Sequence, residues 1–149
     1  MRPIPDETLW LGHAGDVRDP RALLDAGITA VVDLALGEAP PRLPRDLVYC
    51  RFPIVDGPGN PPAVLRLAVE TVACLLRTRM PALVYCSAGM SRSPAVVASA
   101  LALVRGRTPQ EWLERLAKDS PCDVSPGLWA DILASVTLSP SHPPASHNR

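Results

Sequence analysis

One short segment of the chain combines a cysteine and an arginine at a spacing that suits phosphate chemistry. It runs from Cys86 to Ser93 as CSAGMSRS, with five small or unbranched residues between the cysteine and the arginine. A loop of this kind that leads into a helix collects backbone N–H groups, which bind a tetrahedral anion. The arginine adds a planar fork that can hold two phosphate oxygens. The segment predicts a phosphate-binding loop made of Ser87, Ala88, Gly89, Met90, Ser91 and Arg92.

Cys86 is predicted to be the nucleophile of this loop. A thiol at a helix N-terminus beside a guanidinium group ionises more readily than a free thiol. A thiolate held against a bound phosphorus atom attacks it and forms a phosphocysteine intermediate, which water then hydrolyses. The pattern therefore predicts removal of phosphate from a substrate by covalent catalysis.

Such a reaction needs an acid that protonates the leaving oxygen and afterwards activates water. Asp56 is the candidate, because it lies 30 residues before Cys86 in the segment PIVDGPGN. The glycines at positions 57 and 59 suit a loop that moves during the reaction. The alternative interpretation is that Asp56 only forms the turn before Gly57.

Alternating strands and helices are predicted to hold this loop in place. Strands are expected over residues 8–11, 29–34, 47–52 and 82–85, and the second and fourth are apolar runs typical of strands covered on both faces. Helical periodicity fills the intervals between them. The pattern predicts an α/β fold, a three-layer sandwich in which a central, mostly parallel sheet of about four to five strands is flanked by helices.

Four helices are predicted to begin where an N-capping residue precedes a proline in the first helical position. Thr108 also has capping-box spacing to Glu111, and a fifth helix is expected over about residues 91–104. Gly27 is expected to end the first helix. The four capped starts are Asp19-Pro20, Asn60-Pro61, Thr108-Pro109 and Ser125-Pro126.

Composition predicts one domain over residues 1–137 and a disordered tail over 138–149, which lacks apolar periodicity. Fifteen basic and fifteen acidic side chains cancel, so no bias toward nucleic acid or an anionic membrane is expected. No apolar stretch approaches the roughly 20 residues of a membrane span, and the first residues lack a signal-peptide core. A cytoplasmic monomer is the expectation.

The remaining cysteines and the histidines predict no metal site and no cofactor. There is no C-x-x-C pair, and the three histidines do not complete a zinc pattern. Cys50, Cys74 and Cys122 are interpreted as packing residues. Disulfides are not expected in a reducing compartment.

On the residues above, the chain resembles the cysteine-based protein phosphatases, and specifically their small dual-specificity type. The loop pattern of that family is His-Cys-x-x-Gly-x-x-Arg-Ser/Thr, and Cys86, Gly89, Arg92 and Ser93 match it position for position over a resemblance that spans residues 8–136. The resemblance implies that Asp56 is the general acid and that the Ser93 hydroxyl helps to release the thiolate. It also implies a phosphorylated protein or peptide substrate, with phosphotyrosine and, in a shallow site, phosphoserine or phosphothreonine.

Tyr85 departs from the pattern, because the family has histidine immediately before the cysteine. A tyrosine can donate one hydrogen bond but carries no positive charge near neutrality. A non-catalytic phosphate-binding module is therefore an alternative function, although Cys86, Arg92 and Asp56 are all present. A phosphoinositide or RNA phosphatase is a further alternative. Lipid-directed relatives usually place lysines inside the loop, whereas here its side chains between Cys86 and Arg92 are uncharged.

Overall fold

A five-stranded sheet runs through the middle of the protein in a computed structural model that describes residues 1–137. The predicted disordered tail lies outside the described residues. The strand order is β1-β2-β5-β3-β4, with β1 antiparallel to β2 and every other neighbouring pair parallel. The strands are β1 (Arg2–Pro3), β2 (Leu9–His13), β3 (Ala30–Asp33), β4 (Val48–Arg51) and β5 (Ala82–Cys86).

Helices cover both faces of this sheet. A short 3-10 helix, Asp16–Arg18, precedes α1. Helices α2, α3 and α5 pack on one another over the larger hydrophobic core, and α4 packs on α3. The helices are α1 (Pro20–Asp25), α2 (Pro62–Arg77), α3 (Arg92–Arg105), α4 (Pro109–Asp119) and α5 (Pro126–Thr137). The predicted α/β sandwich with a mostly parallel sheet is confirmed, and β1 is a strand that the sequence interpretation did not include.

The side chains of β5 alternate between the two faces of the sheet. Val84 and Cys86 belong to the larger core beneath α2 and α3, whereas Leu83 and Tyr85 belong to a smaller core on the side of α1. This follows from the two-residue period of a strand. The nucleophile candidate and its neighbour Tyr85 therefore lie on opposite faces of the sheet.

The parallel strands all end at the same edge of the sheet. β5 lies between β2 and β3, so the loop that follows Cys86 is flanked by the segments that follow His13 and Asp33. Loops at the carboxyl ends of parallel strands are where α/β proteins bind ligands. The topology therefore places the phosphate-binding loop at the centre of that edge.

Three of the four predicted helix starts have the expected form. Asp19 accepts hydrogen bonds from two backbone N–H groups of α1, the Thr108–Glu111 capping box is complete, and the Ser125 carbonyl begins the hydrogen bonds of α5. The prediction for Asn60 was wrong, because α2 begins at Pro62 after a Pro61 cap without a side-chain hydrogen bond. The Asn60 amide instead bonds to backbone groups of the preceding loop, since it can donate and accept at the same time.

Candidate active site

The predicted phosphate loop curls around the thiol of Cys86. The residue is 1% exposed at the end of β5, and α3 begins six residues later. The Gly89 N–H donates to Sγ over 3.3 Å, and Ser93 Oγ lies 3.3 Å from the same sulfur. An N–H and a hydroxyl at hydrogen-bond distance can stabilise negative charge on the sulfur. The structure thus brings Cys86 and Ser93 together, and their catalytic roles stay predictions.

Gly89 is a position that only glycine fits. Its φ of +75° is in the left-handed region, and a Cβ there would lie 2.8 Å from the backbone oxygen of Gly12 on β2. Either a side chain or a different backbone angle would push the loop away from the sheet. The loop is also tied to the segment after β2, because the Ala14 N–H donates to the Ser87 carbonyl over 3.2 Å. The glycine of the family pattern therefore has a structural cause.

Arg92 is buried beneath the loop and is held from two sides. Its Nη1 donates to the carbonyls of Leu34 over 3.0 Å and Ile54 over 3.3 Å, which follow β3 and β4. Its Nη2 donates to Ser87 Oγ over 2.9 Å. The Nε atom has no acceptor among the described residues although it is buried. A buried donor without a partner costs about 1–3 kcal/mol, so this edge of the guanidinium is suited to an anionic oxygen.

Asp56 lies against the phosphate loop. Its Oδ1 accepts a hydrogen bond from Ser91 Oγ over 2.5 Å, although the two residues are 35 positions apart. The carboxyl group is otherwise exposed to solvent. An exposed carboxyl held at the rim of an anion-binding loop can exchange a proton with a bound group or with water. The structure therefore brings Asp56 to the same loop as Cys86, Arg92 and Ser93.

The loop that carries Asp56 is tied down at several points. Asn60 Oδ1 accepts from the Val55 N–H over 2.7 Å, and its amide donates to the carbonyls of Val55 and Gly57. The Gly59 N–H donates to Asp131 of α5 over 2.9 Å. Movement of this loop stays a prediction, and larger movements would have to break these hydrogen bonds.

On the opposite face, Tyr85 lies in a polar cluster around the buried Asp33 that the sequence interpretation missed. The carboxylate of Asp33 accepts from Tyr49 Oη over 2.6 Å and from the Ala35 N–H over 2.8 Å, and Arg51 Nε lies 3.9 Å away. Burial and the neighbouring Asp33 carboxylate raise the pKa of Tyr85 well above its usual value. The same two causes raise the pKa of Tyr49 to about 12. Both phenols therefore stay neutral at physiological pH.

The other cysteines differ in their surroundings. Cys50 and Cys122 pack against the larger core, as predicted. Burial raises the pKa of the Cys122 thiol, which favours its protonated form. The prediction for Cys74 was wrong, because this residue is exposed on α2, outside the buried stripe of that helix.

Neither a metal cluster nor a membrane-spanning helix is found in the part of the chain that the structure describes. Within residues 1–137, no three histidine, cysteine, aspartate or glutamate side chains are grouped so that they could hold a metal ion. In the same residues, no helix has both the length and the apolar character needed to cross a membrane.

The chain is similar to known dual-specificity phosphatases in sequence and in structure, although no family model matches it. It is 34% identical over 116 residues to dual specificity protein phosphatase 15 of Rattus norvegicus, covering 76% of this chain and 48% of the relative. It is 28% identical over 127 residues to dual specificity phosphatase 28 of Homo sapiens, covering 84% of this chain and 72% of the relative. The chain thus spans about half the length of the first of these relatives.

The fold comparison gives the same result. The crystal structure of human DUSP28 superimposes with a TM-score of 0.78 at 26% identity, covering 91% of this chain and 94% of that one. That of DUSP15 gives a TM-score of 0.76 at 24% identity, covering 90% and 86%, and shows the shared fold. The loop pattern, the mostly parallel sheet and these relatives together show that the chain is a homologue of the dual-specificity phosphatases.

Proposed function

We propose that the chain is a cysteine-dependent phosphatase that hydrolyses phosphotyrosine in proteins or peptides and also accepts phosphoserine and phosphothreonine. The observation that carries this proposal is the environment of Cys86. Its buried sulfur lies between the Gly89 N–H and the Ser93 hydroxyl, in a loop closed by an arginine whose Nε has no acceptor among the described residues. Similarity to named protein phosphatases supports the same activity.

The first chemical step forms a covalent intermediate. The backbone N–H groups of residues 87–91 and the guanidinium of Arg92 bind the phosphate oxygens. The Cys86 thiolate attacks phosphorus, so an S–P bond forms while the bond from phosphorus to the leaving oxygen breaks. Asp56, in its protonated form, gives its proton to that oxygen.

The second step releases phosphate. Water attacks the phosphocysteine, and the Asp56 carboxylate takes a proton from it as the S–P bond breaks. The departing thiolate is stabilised by the Ser93 hydroxyl and the Gly89 N–H, which both lie 3.3 Å from Sγ. In this mechanism Asp56 gives a proton in the first step and recovers one from water in the second, while Arg92 and the loop N–H groups bind the phosphate, so neither a metal ion nor a cofactor is required.

A non-catalytic phosphate-binding module is the second candidate, and Tyr85 favours it. Its neutral phenol replaces a histidine that can carry positive charge. The contact between Asp56 and the phosphate loop favours the enzyme, because a binding module has no use for an acid at that position. The cytoplasmic location and the monomeric state stay predictions.

An assay with p-nitrophenyl phosphate separates the enzyme from the binding module. The wild type should release p-nitrophenol in the presence of EDTA, and Cys86→Ser should abolish turnover while vanadate still binds. Cys74→Ser is the matched control, because this cysteine is exposed on α2 and should leave the rate unchanged. Activity that survives in Cys86→Ser, or that EDTA removes, would contradict the mechanism. A wild type that binds vanadate without turnover would establish the binding module.

A further inference from the structure

The hydroxyl of Ser91 joins three parts of the chain that are far apart in sequence. Ser91 is buried at the last position of the phosphate loop before α3. Its Oγ donates to Asp56 Oδ1 over 2.5 Å and accepts from the Ser125 N–H over 3.1 Å. One side chain therefore connects the phosphate loop to the loop of the proposed acid and to the start of α5.

The hydrogen bond from Ser125 fixes where the hydroxyl hydrogen of Ser91 lies. A backbone N–H can only donate, so Ser91 Oγ must be the acceptor in that pair. The hydroxyl has a single hydrogen, and within residues 1–137 its acceptor is Asp56 Oδ1. Because Oδ1 already accepts this hydrogen bond, the transferable proton of the carboxylic acid falls to Oδ2.

Other contacts hold the backbone of the acid loop but not its carboxyl group. Asn60 and Asp131 bond to main-chain atoms at positions 55, 57 and 59. Among the described residues, Ser91 supplies the hydrogen bond that the Asp56 carboxyl receives. The orientation of an otherwise exposed carboxyl group therefore depends on this hydroxyl.

We propose that Ser91 is a positioning residue for the general acid, an inference that rests on the proposed phosphatase function. It holds Asp56 Oδ1 so that Oδ2 carries the proton to the leaving oxygen as the bond between that oxygen and phosphorus breaks. In the second step the same Oδ2 takes the proton from the water that attacks the phosphocysteine. Ser91 keeps its own proton throughout, and its backbone N–H remains part of the phosphate cradle.

A comparison of two substrates tests this role. A phosphotyrosine peptide needs a proton on its leaving oxygen, whereas p-nitrophenyl phosphate barely does. Ser91→Ala should lower kcat for the peptide by about 10–100-fold, a part of the usual contribution of acid catalysis. It should change kcat for p-nitrophenyl phosphate far less and leave vanadate affinity intact. Ser99→Ala is the matched control, because the Ser99 hydroxyl is also buried on α3 and, among the described residues, bonds to the Ala95 carbonyl and to no group of the proposed site.

A double-mutant cycle separates positioning of the acid from a structural effect. Adding Ser91→Ala to Asp56→Asn should cause no further loss of kcat for the peptide, and Ser91→Thr, which keeps a hydroxyl, should restore most of the rate. Should Ser91→Ala fail to fold, Ser91→Cys takes its place, because a thiol is a weak donor. Equal losses on both substrates or additive effects in the cycle would overturn the inference alone. Absence of turnover that depends on Cys86 in the wild type would overturn the proposed function and the inference with it.

Discussion

At the end of β5, Cys86 lies on one face of the sheet and Tyr85 lies on the other. Around Cys86, the residues Gly89, Arg92 and Ser93 match the family pattern, and contacts in the structure account for each of them. On the Tyr85 face, a cluster of two phenols, a buried carboxylate and an arginine lies where the family pattern has a histidine. The comparison indicates that the proposed catalytic groups and the residues that support the loop from the other face of the sheet can change independently.

The largest effect is expected from Arg92, on the Cys86 face. Arg92→Ala should lower kcat/KM on the order of 10³-fold and abolish vanadate binding, because it removes the charge that closes the cradle. The Leu34 and Ile54 carbonyls also lose their donor, so a thermal melt must accompany the assay. Arg92→Lys keeps the positive charge but lacks the planar guanidinium that binds two oxygens at once, so it should recover little of the lost activity. Retention of vanadate binding by a folded Arg92→Ala variant would show that the backbone alone forms the cradle.

Asp56 should give the next largest loss, and its size should depend on the substrate. Asp56→Asn is expected to slow hydrolysis of a phosphotyrosine peptide by about 10²–10⁴-fold, the usual contribution of general acid–base catalysis. The loss should shrink for p-nitrophenyl phosphate, whose leaving group barely needs a proton. Asp131→Asn is a useful control, because it alters the anchor of the same loop without removing the acid. An equal loss across leaving groups would assign Asp56 a structural role.

Asp33 is not placed to act as the acid in place of Asp56, and neither is Asp46, which precedes β4 at the edge of the sheet opposite the phosphate loop. Asp33 is buried on the opposite face from Cys86, and its carboxylate already accepts from Tyr49 and the Ala35 N–H. A carboxylate so engaged has no route to a leaving group bound in the phosphate loop.

Substitution on the Tyr85 face should change the pH dependence more than the maximal rate. Tyr85→His would place an imidazole beside the Asp33 carboxylate, which favours the charged form of the ring. We expect the acid limb of the activity profile to move down by about one pH unit, with a higher rate at low pH. Alkylation of Cys86 by iodoacetate across pH measures the thiolate directly. Tyr85→Phe, which gains no charge, is the control, and identical profiles in the wild type and Tyr85→His would show that the tyrosine replaces histidine fully.

The smallest effect is expected from Tyr49, as a dependence of stability on alkaline pH. Its pKa is about 12 in the folded protein against about 10 in an unfolded chain. A pKa that is higher in the folded protein than in the unfolded chain stabilises the folded state at every pH below the unfolded pKa. This stabilisation is lost as pH rises from about 10 to about 12. Because Tyr49 is 39% exposed, the difference from Tyr49→Phe should be only about 1 kcal/mol in the free energy of unfolding. Urea unfolding at several pH values gives the free energy of unfolding of both proteins. The difference between the two free energies should shrink as pH rises through this range, and a constant difference would contradict the account.

The phosphate loop could be predicted from the sequence because its signals are local. The strand, the loop and the following helix are consecutive, and the predicted bounds of β5 and α3 differ from the structure by one residue at each shifted end. The two-residue β1 was missed because only its pairing with Trp10 and Leu11 makes it a strand. A strand of two residues is too short to show any periodicity in the sequence.

The Tyr85 cluster could not be predicted because it depends on strand register. Asp33 is the register partner of Tyr85 on β5 and of Arg51 on β4, and Tyr49 reaches it from the same strand as Arg51. A shift of one residue would turn these side chains to the other face. The one signal of this cluster in the sequence was Asp33, a polar residue at the end of the otherwise apolar β3. The hydrogen bonds of Ser91 were missed for a related reason, since its partners Asp56 and Ser125 lie in separate loops.

Detection of the covalent intermediate tests the central claim most directly. Wild-type protein mixed with p-nitrophenyl phosphate would be quenched within the first turnovers and digested, and its peptides examined by mass spectrometry. We expect a phosphoryl group on the peptide that contains Cys86, and none on peptides that contain Cys50, Cys74 or Cys122. In Cys86→Ser, treated in the same way, no phosphoryl group should form at position 86 and then be hydrolysed. Hydrolysis by the wild type without phosphoryl transfer to Cys86 would contradict the account.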